Sequence, residues 1–146
     1  MDTLFSGKVF FANGAPTWKQ TYDEFQRIKA RLDDQNLVVL ALIYVKAADI
    51  AGLVQQIWNN HQVLAYGYTG TDTSIDVHVY DPNFPSRDDV VIHAERVQLG
   101  STSSPNLGSK PIFGFKCLQK LGSQNVKDVR GFFAMPFFAV APPEGL

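Results

Sequence analysis

Residues 60–83, NHQVLAYGYTGTDTSIDVHVYDPN, limit the fold more than any other stretch of the chain. From Ser74 to Asp81 apolar and polar residues alternate: Ile75, Val77, Val79 and Asp81 point one way, and Ser74, Asp76, His78 and Tyr80 point the other. A period of two is the side-chain repeat of a strand and does not fit a helix. His61 to Tyr68 forms an earlier strand, and the Gly- and Thr-rich connection between the two predicts an antiparallel hairpin. Pro82 and Pro85 end the second strand, because proline has no N–H for the ladder. The expected register places Val63 opposite Val79, Ala65 opposite Val77, Gly67 opposite Ile75, and His61 directly opposite Asp81. It requires an odd loop of about three or five residues around Gly70. A slip of one residue would bring Gln62 to Asp81 instead.

The remaining pattern predicts an α+β fold. It has a mostly antiparallel sheet, this hairpin at its centre, and one or two helices packed on it. The main helix is expected from Thr21 to Asp33. Thr21 and Glu24 have capping-box spacing, and Phe25, Ile28 and Leu32 share a face. Leu37 to Val45 is a continuous apolar run of nine residues, the pattern of a strand buried on both faces. A short helix follows, capped by Asp49, with Ile50, Leu53, Val54 and Ile57 on one side. Before the main helix, residues 1–20 are expected to be an extended segment: a strand at Lys8 to Ala12, an Asn13-Gly14 turn, and extended Pro16 to Trp18. Further strands are expected at Asp89 to Gln98, Ile112 to Leu118 and Gly131 to Val140. Residues 100–110 are expected to be a flexible polar loop and 141–146 a loose tail. With no repeat and no long linker, residues 1–146 make a single domain.

Composition excludes several classes of function. Hydrophobic residues make up 45% and charged residues 18%, with net charge −1, which is a globular balance with no basic stripe for nucleic acid. The nine-residue run is too short to cross a bilayer, and the start has no signal-peptide pattern. A soluble cytoplasmic protein is the expectation. The single cysteine, Cys117, cannot form an internal disulfide and fits a reducing compartment. His78 with Asp76, and His93 beside Glu95, lack metal-ligand spacing and read as solvated surface. The Gly and Thr residues near Gly70 do not form a phosphate loop. No metal and no cofactor is expected. Low charge and an aromatic C-terminal part leave room for a homodimer.

The chemistry lies with His61 and Asp81. A carboxylate beside an imidazole fixes the ring's orientation and leaves the other nitrogen free to act as a base. NHQVLAYGY followed by VYDPN resembles the papain-like cysteine peptidases, in the branch similar to bacteriocin-processing peptidases. The likeness is strongest over residues 21–83. It implies that His61 is the general base and Asp81 its orienting partner, with Asn83 as a second candidate for that partner. It also implies the C-terminal half of a papain-like fold.

The chain departs from that pattern in one essential respect. The family's nucleophile is a cysteine upstream of the histidine, opening a helix whose N-terminus lowers the thiol pKa. No cysteine precedes His61, no oxyanion-hole motif surrounds Gln20 or Gln26, and no serine elbow replaces them. Cys117, in an extended aromatic stretch, is the remaining candidate nucleophile, although a lone cysteine is more often a small buried hydrophobe. Three readings follow. One is a non-catalytic or incomplete relative that meets a separate N-terminal half-domain. Another is a module that holds a peptide or protein in the residual cleft. The third is a hydrolase or acyltransferase with Cys117, or a group from another chain, as nucleophile.

Overall fold

The computed structural model describes residues 15–44, 61–106 and 108–135. One helix, α1 (Ala15–Asp33), precedes strands β1 (Val38–Ile43), β2 (Gln62–Gly70), β3 (Ser74–Tyr80), β4 (Val90–Ser104), β5 (Gly108–Leu121), β6 (Gln124–Val129) and β7 (Gly131–Ala134). They form an α+β architecture, a seven-stranded sheet of order β6-β5-β4-β3-β2-β1-β7 with every pair antiparallel. The strand and turn expected at 8–14, the helix expected over 49–57, and the tail 141–146 lie outside the described residues.

The outermost strands, β6 and β7, are consecutive in the chain with only Arg130 between them. Val129 pairs with Cys117 of β5, and Gly131 pairs with Ile43 of β1. Two residues span at most about 7 Å, so β5 and β1 are drawn together and the sheet must curl toward a barrel. The Arg130 N–H, bonded to Ile43 O at 2.7 Å, fastens this corner. The inward positions of all the strands then make one core: Leu40, Leu42, Val63, Ala65, Val77, Val79, Ile92, Ala94, Cys117, Val129 and Phe132 belong to a single buried cluster.

Beyond the corner β5 and β7 diverge, and α1 fills the gap between them. Phe25 meets Phe115 of β5 at a ring-centroid distance of 5.8 Å and Phe132 of β7 at 6.4 Å, both edge-on. The helix begins six residues before the expected Thr21. Pro16 belongs to its first turn, where a missing N–H costs nothing because first-turn N–H groups have no intrahelical acceptor. Thr21 is therefore not a cap. Its hydroxyl, buried inside the helix, accepts the Phe132 N–H at 3.2 Å and ties α1 to β7. The expected stop holds. Gln35 takes φ +64° while Asn36 N–H bonds Arg31 O and Gln35 N–H bonds Leu32 O, a Schellman ending.

The central hairpin differs from the expected register. Its ladder runs Gly70↔Ile75, Thr69↔Asp76, Tyr68↔Val77 and Gly67↔His78, then shifts at a bulge and resumes at Ala65↔Val79 and Leu64↔Tyr80. Gly70 thus pairs across an even loop, and inward residues beside the loop carry even numbers on β2, including Tyr68. Tyr66 is the extra residue of the bulge. It restores the inward face to Ala65, Val63 and, by alternation, His61. Gly67 lies outside that set, contrary to expectation, and faces outward with His78.

Two other expectations are corrected. Residues 100–104 and 108–110 are strand and not loop: β4 and β5 continue as a two-stranded ribbon through Ser101↔Pro111 to Ser104↔Gly108, with a turn at Pro105 and Asn106. Hydroxyl-rich sequence reads as loop here because both faces of this ribbon are exposed, so it carries no alternation. β6, QNVKDV, gives no strand signal for the same reason. Only Val129 of its six residues is buried.

The α1 interface requires two glycines by close approach. A Cβ on Gly114 would lie 2.9 Å from Trp18 Cβ, and one on Gly131 would lie 2.8 Å from Thr17 Cγ2 and closer still to Thr21 Oγ1. Gly131→Ala is expected to lose about 1–3 kcal/mol of stability through overpacking, seen as a lower urea midpoint with an unchanged slope. Gly67→Ala, where a Cβ meets open space, serves as the tolerant control.

Candidate functional site

At one end of the curled sheet, where β1 ends, β2 begins and β3 ends, the inward positions turn polar. His61 lies immediately before β2, and its carbonyl accepts the Leu42 N–H at 2.8 Å. Continued by one residue, the observed register sets Val63 level with Asp81, so His61 is the diagonal neighbour of Asp81 on the same face. An imidazole reaches across that diagonal, and Nε2 of His61 contacts Oδ1 of Asp81. The two residues meet, although not by the pairing expected from the sequence.

Asp81 is fully buried, and its surroundings explain how a carboxylate persists there. Oδ1 also accepts the Asn83 N–H at 2.9 Å, and Oδ2 accepts from Gln119 Nε2 at 2.5 Å. Phe84 N–H bonds the Asp81 carbonyl at 2.9 Å, so Asp81-Pro82-Asn83-Phe84 is a β-turn reinforced by the Asp side chain. The Asp-Pro-Asn sequence therefore has a local purpose. Proline presets the second turn position, and the Asn83 amide holds the carboxylate. The Asn83 side chain is exposed and makes no hydrogen bond to His61 among the described residues.

An ionised carboxylate only accepts hydrogen bonds, so Nε2 of His61 donates. Nδ1 then carries the ring's remaining lone pair. No described residue hydrogen-bonds it, and the side chain keeps 21% of its exposure. A ring held at one nitrogen and open at the other can receive a proton from a group brought to Nδ1.

Two inward neighbours escaped the sequence reading. Gln119 is 3% exposed and pairs with Ile92 and Lys127. Its signal was present: Phe113, Phe115, Cys117 and Gln119 alternate along β5, so an amide interrupts an otherwise apolar face. Tyr44 follows β1, and its hydroxyl pKa is pushed up to about 12, by burial first and then by the charge of Asp81. Lys127 Nζ sits 3.8 Å from the centroid of the Tyr44 ring.

Cys117 lies two residues before Gln119 on the same inward face, 4% exposed, with its thiol directed to Phe115 O at 3.8 Å. Burial pushes the thiol pKa far up, the opposite of what a nucleophile needs. As a candidate nucleophile it is corrected to a core residue, because its position faces the apolar cluster and no charge or helix terminus favours the thiolate.

The outward face of β3 and β4 carries a second His–carboxylate group. His93 is paired with Asp76 in the ladder. Its Nδ1 meets Asp76 Oδ1 at 2.6 Å and its Nε2 meets Glu95 Oε1 at 3.1 Å. His78 is not part of this group, since its Nε2 meets Thr69 Oγ1 at 3.1 Å. Among the described residues no group of three or more His, Cys, Asp or Glu is placed to hold a metal ion. Burial alone would lower the His93 pKa, but hydrogen bonds to Asp76 and Glu95 outweigh it and the value is raised.

Comparison with family models, curated proteins and solved structures finds no match to this chain. No helix among the described residues is long and apolar enough to cross a membrane.

Two outcomes test these groups. Gln119→Leu leaves Asp81 Oδ2 buried without its donor, which is expected to cost about 1–3 kcal/mol in chemical denaturation. His93, with a raised folded pKa, contributes stability that is fully present below the ordinary histidine value of about 6.5 and fades as pH rises through the folded value. The unfolding free energy of the parent chain should therefore fall across that interval. His93→Gln should flatten this part of the profile, and an unchanged slope would contradict the assignment.

Proposed function

We propose that the chain is a non-catalytic or incomplete relative of papain-like cysteine peptidases, which keeps the base and its orienting carboxylate but not the nucleophile. The observation that carries this reading is the contact of His61 Nε2 with a buried Asp81 whose carboxylate is held by the Asn83 amide and Gln119, while Nδ1 stays open. A pair that merely closed a hairpin end would not call for a third, buried side chain from β5. In this role Asp81 orients His61, Gln119 and the Asn83 amide fix Asp81, and Nδ1 is the nitrogen that would face a thiol. That thiol comes from a separate N-terminal half-domain or another chain. Cys117 is buried among core side chains and faces Phe115 O.

The test combines reactivity and turnover. Iodoacetamide at neutral pH should leave Cys117 unmodified in the folded chain and alkylate it after denaturation. Fluorogenic peptide substrates should stay uncleaved by the chain alone. Rapid native alkylation that is lost in His61→Ala would overturn the proposal and make Cys117 the nucleophile. Cleavage lost in Cys117→Ser would do the same.

A further inference from the structure

At the opposite end of the curled sheet a cavity of about 430 Å³ opens between α1 and the ends of β2, β3, β4 and β5. It is separate from the His61 site. Its rim includes the tip of the β2–β3 hairpin, whereas Asp81 follows the other end of β3, roughly 23 Å away at strand rise. The surface it opens to solvent is mainly polar, and the apolar residues beneath, Phe25, Ile75 and Phe115, are covered core side chains. A ligand that fits this space is therefore hydrophilic.

Arg96 stands out among the lining residues. Alternation along β4 sets it on the inward face after Val90, Ile92 and Ala94, all of them buried, and it pairs with the buried Phe115. A guanidinium at such a position gives up part of its hydration, a cost that a polar partner offsets. Among the described residues no carboxylate lies within ion-pair distance of it, and its side chain makes no hydrogen bond. Its one partner is the Phe113 ring, with the guanidinium carbon 4.0 Å from the centroid. Stacking uses the guanidinium face and leaves the N–H edge free to donate to a carboxylate or phosphate.

Lys29 of α1 lines the same cavity, is partly covered, and also has no ion pair among the described residues. Asp33, one helical turn further on, accepts the Tyr68 hydroxyl at 2.6 Å instead of meeting Lys29. Asp72, in the hairpin turn, lines the cavity but lies within ion-pair distance of neither cation. Neutral polar groups complete the lining, among them the Tyr22 hydroxyl, Gln26 and Thr71.

We propose that this cavity binds a phosphate group, either inorganic phosphate or that of a small hydrophilic phosphomonoester. Two cations match a dianion, and the fork of Arg96 fits two of its oxygens. The volume lies in the usual range for small-molecule sites and leaves room for a polar body beyond the phosphate. The proposal does not depend on the function assigned to His61.

The test is a titration of the intact, isotope-labelled chain with sodium phosphate and with ribose 5-phosphate, followed by amide and side-chain NMR. Ribose, and sodium chloride at matched ionic strength, are the controls. The expected result is saturable shifts at Gly70, Thr71, Asp72 and Arg96 that neither control reproduces, with the His61 ring signals unmoved. Equal affinity for the two probes would assign inorganic phosphate, and tighter binding of ribose 5-phosphate a phosphomonoester. Lys29→Gln and Arg96→Gln should each weaken binding about tenfold, the equivalent of one charge-assisted hydrogen bond, with the amide signals of Val77 and Ile92 unchanged. Asp72→Asn should strengthen binding, because it removes a like charge from the site. No saturable shift up to about 10 mM, ten times the dissociation constant of a millimolar site, would overturn the proposal. So would shifts that chloride reproduces, weaker binding in Asp72→Asn, or binding that survives both cation substitutions in a folded chain.

Discussion

The chain passes from one edge of its sheet to the other across a single residue. With Val129 bonded to β5 and Gly131 bonded to β1, a flat sheet is impossible, since Arg130 cannot bridge the width of five strands. The curl that results makes an interior from what would otherwise be one face. It also gives that interior two ends of different character. At one end the inward positions are occupied by Tyr44, His61, Asp81 and Gln119. At the other the edges separate and α1 enters between them. Gly114 and Gly131 keep the helix close enough to place Phe25 against both β5 and β7.

Closure also explains the third donor to Asp81. β3 and β5 are not neighbours in the sheet, for β4 lies between them. On a flat sheet Gln119, level with Val77 through Ile92, would lie two strand spacings across and four residues along from Asp81, roughly 16 Å away. On a concave surface inward side chains converge, and the Gln119 amide reaches the carboxylate. Burial of Asp81 is tolerable because the turn, the imidazole and this amide together replace water around both oxygens. Tyr44 adds an aromatic wall beside the pair, and Lys127 covers the ring of Tyr44.

The parts of the fold legible in the sequence were those with one wet and one dry face. β3 reads cleanly because Ile75, Val77 and Val79 are buried and Asp76 and Tyr80 are not. β1 reads as a buried run because four of its six residues are buried, with Val38, Leu40 and Leu42 fully covered. The ribbon at 100–110 and the edge strand β6 were illegible, since strands exposed on both faces have no reason to alternate. The start of α1 was missed because Thr21 looks like a cap in sequence, whereas its hydroxyl serves a strand more than a hundred residues away. At the site, His61 and Asp81 carried a visible signal. Gln119 was hidden in plain alternation, and its partnership with Asp81 depends on curvature, which no local pattern encodes.

The bulge at Tyr66 gives β2 the logic of a reading frame. On either side of it the inward positions follow opposite parity, even toward the hairpin tip and odd toward His61. A substitution in this strand changes one side chain. An inserted or deleted residue between His61 and Tyr66 would exchange every inside position for an outside one and turn the imidazole away from its carboxylate. The ribbon of β4 and β5 has no such frame, because neither of its faces at the tip is a core face, and residues can be gained or lost there in pairs without consequence for the interior. Length variation in descendants of this chain should therefore gather at the ribbon tip and be absent from the four residues that separate His61 from Tyr66.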